Sequence, residues 1–214
     1  MPAFSTEERQ LLHESLHDFL RDRYSFEHFK KVSRSEDDLG FGRAEWAEFA
    51  NLGWLGVALP EEAGGSGGGM TELGIVLAAA GHYLVAEPLL GTVVLGAGAI
   101  ELAGTDDQKT LLAEIAEGKH LLAFCHGEPD AGFARDYVKT VARKSGGGYV
   151  IDGEKGFALG AHAADSLIVT ARIDADNGPL ALFRVPRTAE GVTPIEAPAL
   201  DGRRGAAVRV KSVE

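Results

Sequence analysis

Apolar positions follow two different rhythms along the chain. Up to about residue 118 they recur every three or four residues; beyond it they fall in short runs set apart by turn residues. The first rhythm is that of helices burying one face. Leu12, Leu16, Phe19 and Leu20 form one stripe, preceded by Ser5-Thr6-Glu7-Glu8, a capping box in which Ser5 and Glu8 satisfy each other's backbone donors. Residues 45–52 predict a short second helix with Trp46, Phe49 and Ala50 on one side and Gly53 placed to end it. The glycine-rich stretch 61–70 predicts a flexible or tightly turned loop. A long apolar helix follows from Leu73 through Val76, Leu77, Ala80 and Leu84, and Pro88 interrupts it. Apolar residues resume over 89–102, where Gly96 and Gly98 permit close helix packing. Thr105-Asp106-Asp107-Gln108 is a second capping box, followed by Leu111, Leu112, Ile115 and Ala116 and then Gly118.

The second rhythm predicts strands at 121–125, 137–142, 149–151, 166–171, 180–185 and 206–210. Turn signals separate them: Glu128-Pro129-Asp130, Ser145-Gly146-Gly147-Gly148, Asp152-Gly153, Asp176-Asn177-Gly178-Pro179 and Asp201-Gly202. Short strands at this spacing with no helices between them imply an antiparallel sandwich or barrel rather than βαβ units. The predicted class is therefore α+β: an N-terminal all-α helical domain over 1–118, then an antiparallel β-barrel domain over 119–214.

Composition narrows the function classes. Hydrophobic residues at 45% and charged residues at 25% are those of a globular protein that buries a core. A net charge of −11 argues against nucleic acid, whose phosphates require a broad basic surface; Arg203-Arg204 is the one local basic candidate. With Cys125 alone, neither an intramolecular disulfide nor a cysteine-rich zinc site can form, which fits a reducing cytoplasm. No apolar run nears the roughly 20 residues that span a bilayer, and the N-terminus has no basic-then-apolar leader, so no membrane role is expected and the cytoplasm is the default location.

Several catalytic patterns occur without their context. His13-Glu14-Ser15-Leu16-His17 matches the zinc-protease HExxH, but both imidazoles flank the apolar stripe and no third ligand is nominated; no metal site is expected. Gly64-Gly65-Ser66-Gly67-Gly68 matches a nucleophile elbow, yet it lies in a glycine-rich loop among helices rather than after a strand. No G-x-G-x-x-G and no phosphate loop occur, so a Rossmann site is unsupported. Cys125 and His126 are strand neighbours and point to opposite faces, which leaves a buried cysteine rather than a thiolate pair.

The order of pieces is more informative. Gly53-Trp54-Leu55-Gly56-Val57-Ala58-Leu59-Pro60-Glu61-Glu62 with Gly64-Gly65, then Ala86-Glu87-Pro88-Leu89-Leu90, then Phe124-Cys125-His126-Gly127-Glu128-Pro129-Asp130-Ala131-Gly132, resemble successive segments of the acyl-CoA dehydrogenase family. Tyr149-Val150-Ile151-Asp152-Gly153-Glu154-Lys155, Phe183-Arg184-Val185-Pro186 and Leu200-Asp201-Gly202-Arg203-Arg204 complete the set, which covers nearly the whole chain in order. The resemblance implies FAD held between the β domain and a C-terminal helical domain. It also implies an acyl-CoA thioester against the flavin, a glutamate of the C-terminal domain taking the α proton, and hydride passing to the flavin. The sequence ends near where that domain would begin, so no catalytic residue is assigned within it, and exposed apolar surface and self-association are expected.

By the same resemblance the flavin-facing residues are Phe124, His126, Gly127, Phe157, Ala158 and Leu159, and the substrate-facing ones Gly132 and Phe133. Phe157 stands where the family typically has a tryptophan, so stacking survives. Gly127 and Leu159 replace residues whose hydroxyls hydrogen-bond the cofactor, Phe133 replaces a serine that contacts acyl-CoA, and Asp130 replaces a common glycine. Each lost contact weakens binding by about 1–3 kcal/mol unless compensated. Two expectations follow: a dehydrogenase subunit completed by a C-terminal domain or partner, or a non-catalytic scaffold subunit binding little FAD. The implied partners are the acyl-CoA substrate, an electron-transfer flavoprotein or similar acceptor, and a homologous dehydrogenase subunit.

Overall fold

The computed structural model describes residues 4–34 and 39–214. In α1 (Thr6–Arg23) the capping box forms as predicted, with Glu8 N–H donating to Ser5 Oγ at 3.2 Å and Ser5 N–H to the Glu8 carboxylate at 2.7 Å. The next helix, α2 (Phe26–Arg34), is not among the predicted elements although Phe26, Phe29 and Val32 recur at helical spacing; none of its residues is fully buried. Trp46 and Phe49 of α3 (Arg43–Asn51) are buried, and α4 (Met70–His82) packs on α1. Phe19, Phe49 and Trp54 meet with ring centroids 5.1 to 6.1 Å apart, the Phe19–Trp54 pair edge to face.

Of the two alternatives for the glycine-rich stretch, the tight turn is the one that forms. Ser66, Gly67 and Gly68 donate their N–H groups to the carbonyls of Gly56, Leu59 and Val57 at 2.9–3.0 Å. A Cβ at Gly65 would lie 2.1 Å from the Leu59 carbonyl oxygen, so no other residue fits.

The long apolar helix breaks earlier than Pro88. α4 ends at His82, and Leu84 adopts a left-handed φ of 55°. Pro88 instead precedes a π-helix (Leu89–Ala97) that runs directly into α5 (Gly98–Ala103). Its backbone bonds skip five residues, which aligns Gly91 with Gly96 on the face that meets the strands. A Cβ at Gly91 would lie 2.7 Å from the Leu159 carbonyl, and one at Gly96 2.5 Å from Leu122 Cβ. Gly98 has open space around it, so only Gly96 of the two expected packing glycines serves that role. The helical half closes with α6 (Asp106–Lys109), capped by Thr105 as predicted, and α7 (Leu111–Ala116).

Strands follow: β1 (Leu122–Cys125), β2 (Val141–Ser145), β3 (Gly148–Leu159), β4 (Ser166–Ile173), β5 (Leu180–Pro186), β6 (Val192–Pro198) and β7 (Arg204–Val213). They form one curled sheet in the order β1-β4-β2-β3-β7-β6, with β5 also on β4. The class is α+β as the pattern predicts, but the sheet is mixed. β4 runs parallel to β1 and β2, which lie one after the other along it, while the remaining pairs are antiparallel.

Three details differ from expectation. β2 starts only at Val141, and residues 137–140 are loop. Asp152-Gly153 lies inside β3 rather than at a turn; a Cβ at Gly153 would fall 2.4 Å from Thr140 Oγ1, so glycine serves close packing there. The one strand not predicted, β6, contains Pro194 and Pro198, which demote it in sequence; it pairs only with β7 at the sheet edge, where a missing N–H is tolerated.

The halves share a core. Leu59, Ile100, Leu112 and Ile115 from the helical half pack with Leu122 and Ile168 from the strands. Buried Thr92 of the π-helix donates its hydroxyl to the Leu122 carbonyl at 3.0 Å and accepts the Leu122 N–H at 3.2 Å. Among the described residues no helix is long and apolar enough to cross a membrane.

Candidate functional site

β1 leaves the sheet at Cys125, and residues 126–128 turn before the short helical turn Pro129–Ala131. What fixes this bend is β3. Between Lys155 and Ala158 the ladder with β7 shifts, three steps on β3 facing two on β7, from Val208 to Ala206. Gly156 and Phe157 are thereby freed from β7, and Gly156 N–H donates to the Gly127 carbonyl at 2.7 Å.

Lys155, fully buried, sits directly beneath. Its ammonium donates to Glu128 Oε1 at 2.7 Å, Thr170 Oγ1 at 3.1 Å and the His126 carbonyl at 3.3 Å, which uses all three of its protons. Glu128 Oε1 also accepts from Thr140 N–H at 3.0 Å and Thr140 Oγ1 at 2.7 Å, and Oε2 accepts from Lys139 N–H at 2.7 Å. Burial pushes the Glu128 carboxyl up, but the Lys155 and Thr140 donors outweigh it and hold the group below the ordinary carboxylate range. Burial pulls the Lys155 pKa down, and Glu128 restores part of it.

His126 extends the network. Its Nε2 lies 2.7 Å from the Arg135 carbonyl, which can only accept, so Nε2 carries the proton and Nδ1 accepts from Thr170 Oγ1 at 3.2 Å. The chain of donors therefore runs from Lys155 through Thr170 to His126.

A geometric consequence follows for the backbone. The carbonyls of His126 and Gly127 are both drawn inward, to Lys155 and Gly156. In a trans peptide the N–H points opposite to the carbonyl. The N–H groups of Gly127 and Glu128 therefore face away from β3, and neither donates to a protein acceptor among the described residues. Two open backbone donors beside a half-exposed aromatic ring, Phe157 at 47% exposure, make a place for an acceptor-rich planar group.

The residues expected at the flavin divide into two sets. His126, Gly127 and Phe157 lie around the bend, with Phe124 stacked on His126 at a centroid distance of 6.0 Å and half-buried against the shared core. The Phe157 ring lies over Gly205 of β7, where a Cβ would meet its Cζ at 2.7 Å. Ala158 is buried in the sheet core. Leu159 lines a cavity of about 20 Å³ between the halves with Phe41, Glu87, Gly91 and His162. Gly132 takes a φ of 55° on the loop after the bend, and Phe133 beside it is fully exposed.

The discounted motifs stay apart from this site. The His13 and His17 rings lie 4.2 Å apart at a tilt of 31°, and His17 Nδ1 lies 3.1 Å from the Tyr83 hydroxyl. Among the described residues no group of three or more His, Cys, Asp or Glu side chains is placed to hold a metal. Ser66 sits in the glycine turn of the helical half. The Cys125 thiol is buried in the sheet core, and burial pushes its pKa up to about 12 although Lys155 opposes the shift. What sequence reasoning missed is the Glu128–Lys155–Thr140–Thr170 network. One signal was present: Lys155 stands four residues after the inward-facing Ile151, so a period of two puts a charge on the inner face of β3.

Family models of the acyl-CoA dehydrogenase N-terminal domain and of the acyl-CoA dehydrogenase middle domain match residues 6–119 and 123–212. Acyl-CoA dehydrogenase FadE12 of Mycobacterium tuberculosis is 39% identical over 204 residues, 89% of this chain and 50% of that protein. A variant of the Tcur3481-Tcur3483 steroid ACAD superimposes with a TM-score of 0.86 at 27% identity, covering 97% of this chain and 55% of that one. An acyl-CoA dehydrogenase complexed with FAD from Bacillus anthracis superimposes at 0.84, with 24% identity over 100% of this chain and 38% of that one, and shares the fold. The chain spans about half the length of the curated relatives it matches.

Proposed function

The chain belongs to the acyl-CoA dehydrogenase family, an oxidoreductase family, and from that premise we propose that it is a flavin-binding subunit for α,β-desaturation of an acyl-CoA thioester. The observation that carries this reading is the pair of open N–H groups at Gly127 and Glu128 beside the exposed face of Phe157.

These residues fit an isoalloxazine, which has oxygen and nitrogen acceptors along one edge and a flat apolar face. When bound, FAD would supply the hydride acceptor for the β carbon of the thioester. Gly127 and Glu128 would hold acceptor atoms of the ring, Phe157 would cover its face, and Phe124 packed on His126 would keep water from the back of the bend. No proton-abstracting base is assigned within this chain. The nearest buried carboxylate, Glu128, is committed to Lys155, Thr140 and Lys139 and has no free geometry for the task. The base, the electron acceptor and the rest of the thioester pocket would come from a C-terminal domain or a homologous subunit, in keeping with the two-component name of the steroid ACAD it resembles.

The side chain of Leu159 favours a second reading. Leu159 lines the cavity between the halves, and its alkyl side chain offers no donor, as expected of a scaffold subunit that binds little flavin. Purification and denaturation decide between the two. A yellow protein that releases FAD at about one equivalent supports the first. A colourless protein that stays colourless with added FAD, but co-purifies with a flavin-bearing homologue, supports the second and sinks the first.

A further inference from the structure

We infer that Lys155 is a positioning residue: with Glu128 it sets the direction of the two backbone donors at Gly127 and Glu128, and through them the affinity for FAD. The inference rests on the flavin reading above and adds to it a residue that touches neither cofactor nor substrate.

Four observations converge on Lys155. It is fully buried in a strand whose neighbours at that level are apolar, an expensive place for a charge unless every proton is used. Every proton is used, and each acceptor belongs to the bend or to the strand beneath it. One acceptor is the His126 carbonyl itself, and the peptide plane converts that inward pull into an outward Gly127 N–H. Glu128 completes the clamp. Held by Lys155, Thr140 and Lys139, it cannot rotate, so the peptide that follows Gly127 is fixed at both ends.

The chemistry of the bend makes this direction decisive. Gly127 has no side chain, and the alkyl side chain of Leu159 has no donor, so polar recognition by this stretch falls to backbone N–H groups. Gly127 is free to rotate unless something outside it holds the plane. A clamp that aligns two donors before a ligand arrives removes an ordering cost from binding.

The test titrates the purified chain with FAD, following flavin fluorescence. Wild type is compared with the Lys155→Met/Glu128→Gln pair, Lys155→Arg and Val76→Ala. The paired substitution avoids a buried unpartnered charge, and Val76 is a buried α4 residue in the core of the helical half, away from the bend, so its truncation reports destabilisation alone. Thermal melts establish that each variant is folded. The inference expects at least a tenfold weaker FAD Kd for the paired variant, partial recovery in Lys155→Arg, and an unchanged Kd in Val76→Ala despite its lower Tm. If wild type binds FAD and the paired variant binds it equally, the positioning role is wrong while the flavin reading stands. If Val76→Ala weakens FAD as much as the pair does, affinity follows stability and the role is again wrong. If wild type binds no FAD at all, the flavin reading falls, and the inference falls with it.

Discussion

Cys125 and Glu87 show how burial sets the chemistry of single side chains here. The Cys125 thiol has no exposed surface and a pKa of about 12, so the reactive thiolate is scarce at neutral pH. A disulfide reagent such as DTNB should therefore label the native chain far more slowly than the unfolded one; equal rates would refute this burial. Glu87 sits 3% exposed near the contact between the halves, accepts the Gly42 N–H at 3.3 Å, and leaves Oε2 without a partner. Burial raises its pKa. A carboxyl whose folded pKa is raised stabilises the fold fully below its ordinary pKa and loses that contribution as pH rises through the folded value. Glu87→Gln should accordingly gain Tm relative to wild type as pH rises toward neutrality. Tm-against-pH curves that run parallel for the two proteins would show that Glu87 does not titrate in this way.

At the scale of elements, β3 is where local rules and tertiary demands separate. Asp152-Gly153 has the composition of a turn, and a reading by propensity ends a strand there. The chain continues because Gly153 leaves room for Thr140, which in turn donates twice to Glu128. Replacing Gly153 by alanine should displace Thr140 at a cost of about 1–3 kcal/mol and lower the denaturant midpoint; an unchanged midpoint would mean that the packing relaxes freely. The capping boxes lie at the opposite extreme. They are encoded within four residues, and both form as predicted at Ser5 and Thr105. Elements with an apolar stripe or a local cap were thus legible in the sequence. β6, carrying two prolines at a sheet edge, was not, and α2 went unpredicted although Phe26, Phe29 and Val32 give it a short stripe.

Over the whole molecule the two rhythms of the sequence become two halves, but the boundary between them is not an energetic one. Leu122 of β1 packs among Leu112, Ile115 and Ile100, and its backbone is tied to Thr92 by two hydrogen bonds. Leu122→Ala should cost about 2–5 kcal/mol and lower the melting of helical and sheet signals together in one transition. Separate transitions would show that the halves unfold independently. The family was legible from the order of short motifs, whereas the workings of the site were not. A motif lists Glu128 and Lys155 some distance apart in the chain, and only the curl of the sheet and the shift in β3 bring them to 2.7 Å.

The π-helix carries a consequence for how the chain can vary over time. Gly91 and Gly96 meet the strands together only because five residues separate them within a widened helix. Removing a residue on either side of that pair would let the segment tighten to 3.6 residues per turn and set the two glycines, still five apart, about 140° from each other around the axis. A larger neighbour would then face Leu122 or the Leu159 carbonyl, where there is no room for one. Exposed positions such as Leu95, at 40% exposure, can change their letter freely. The count of residues from Pro88 to Gly98 is under far tighter control, so insertions and deletions are expected to spare this stretch even where substitutions do not.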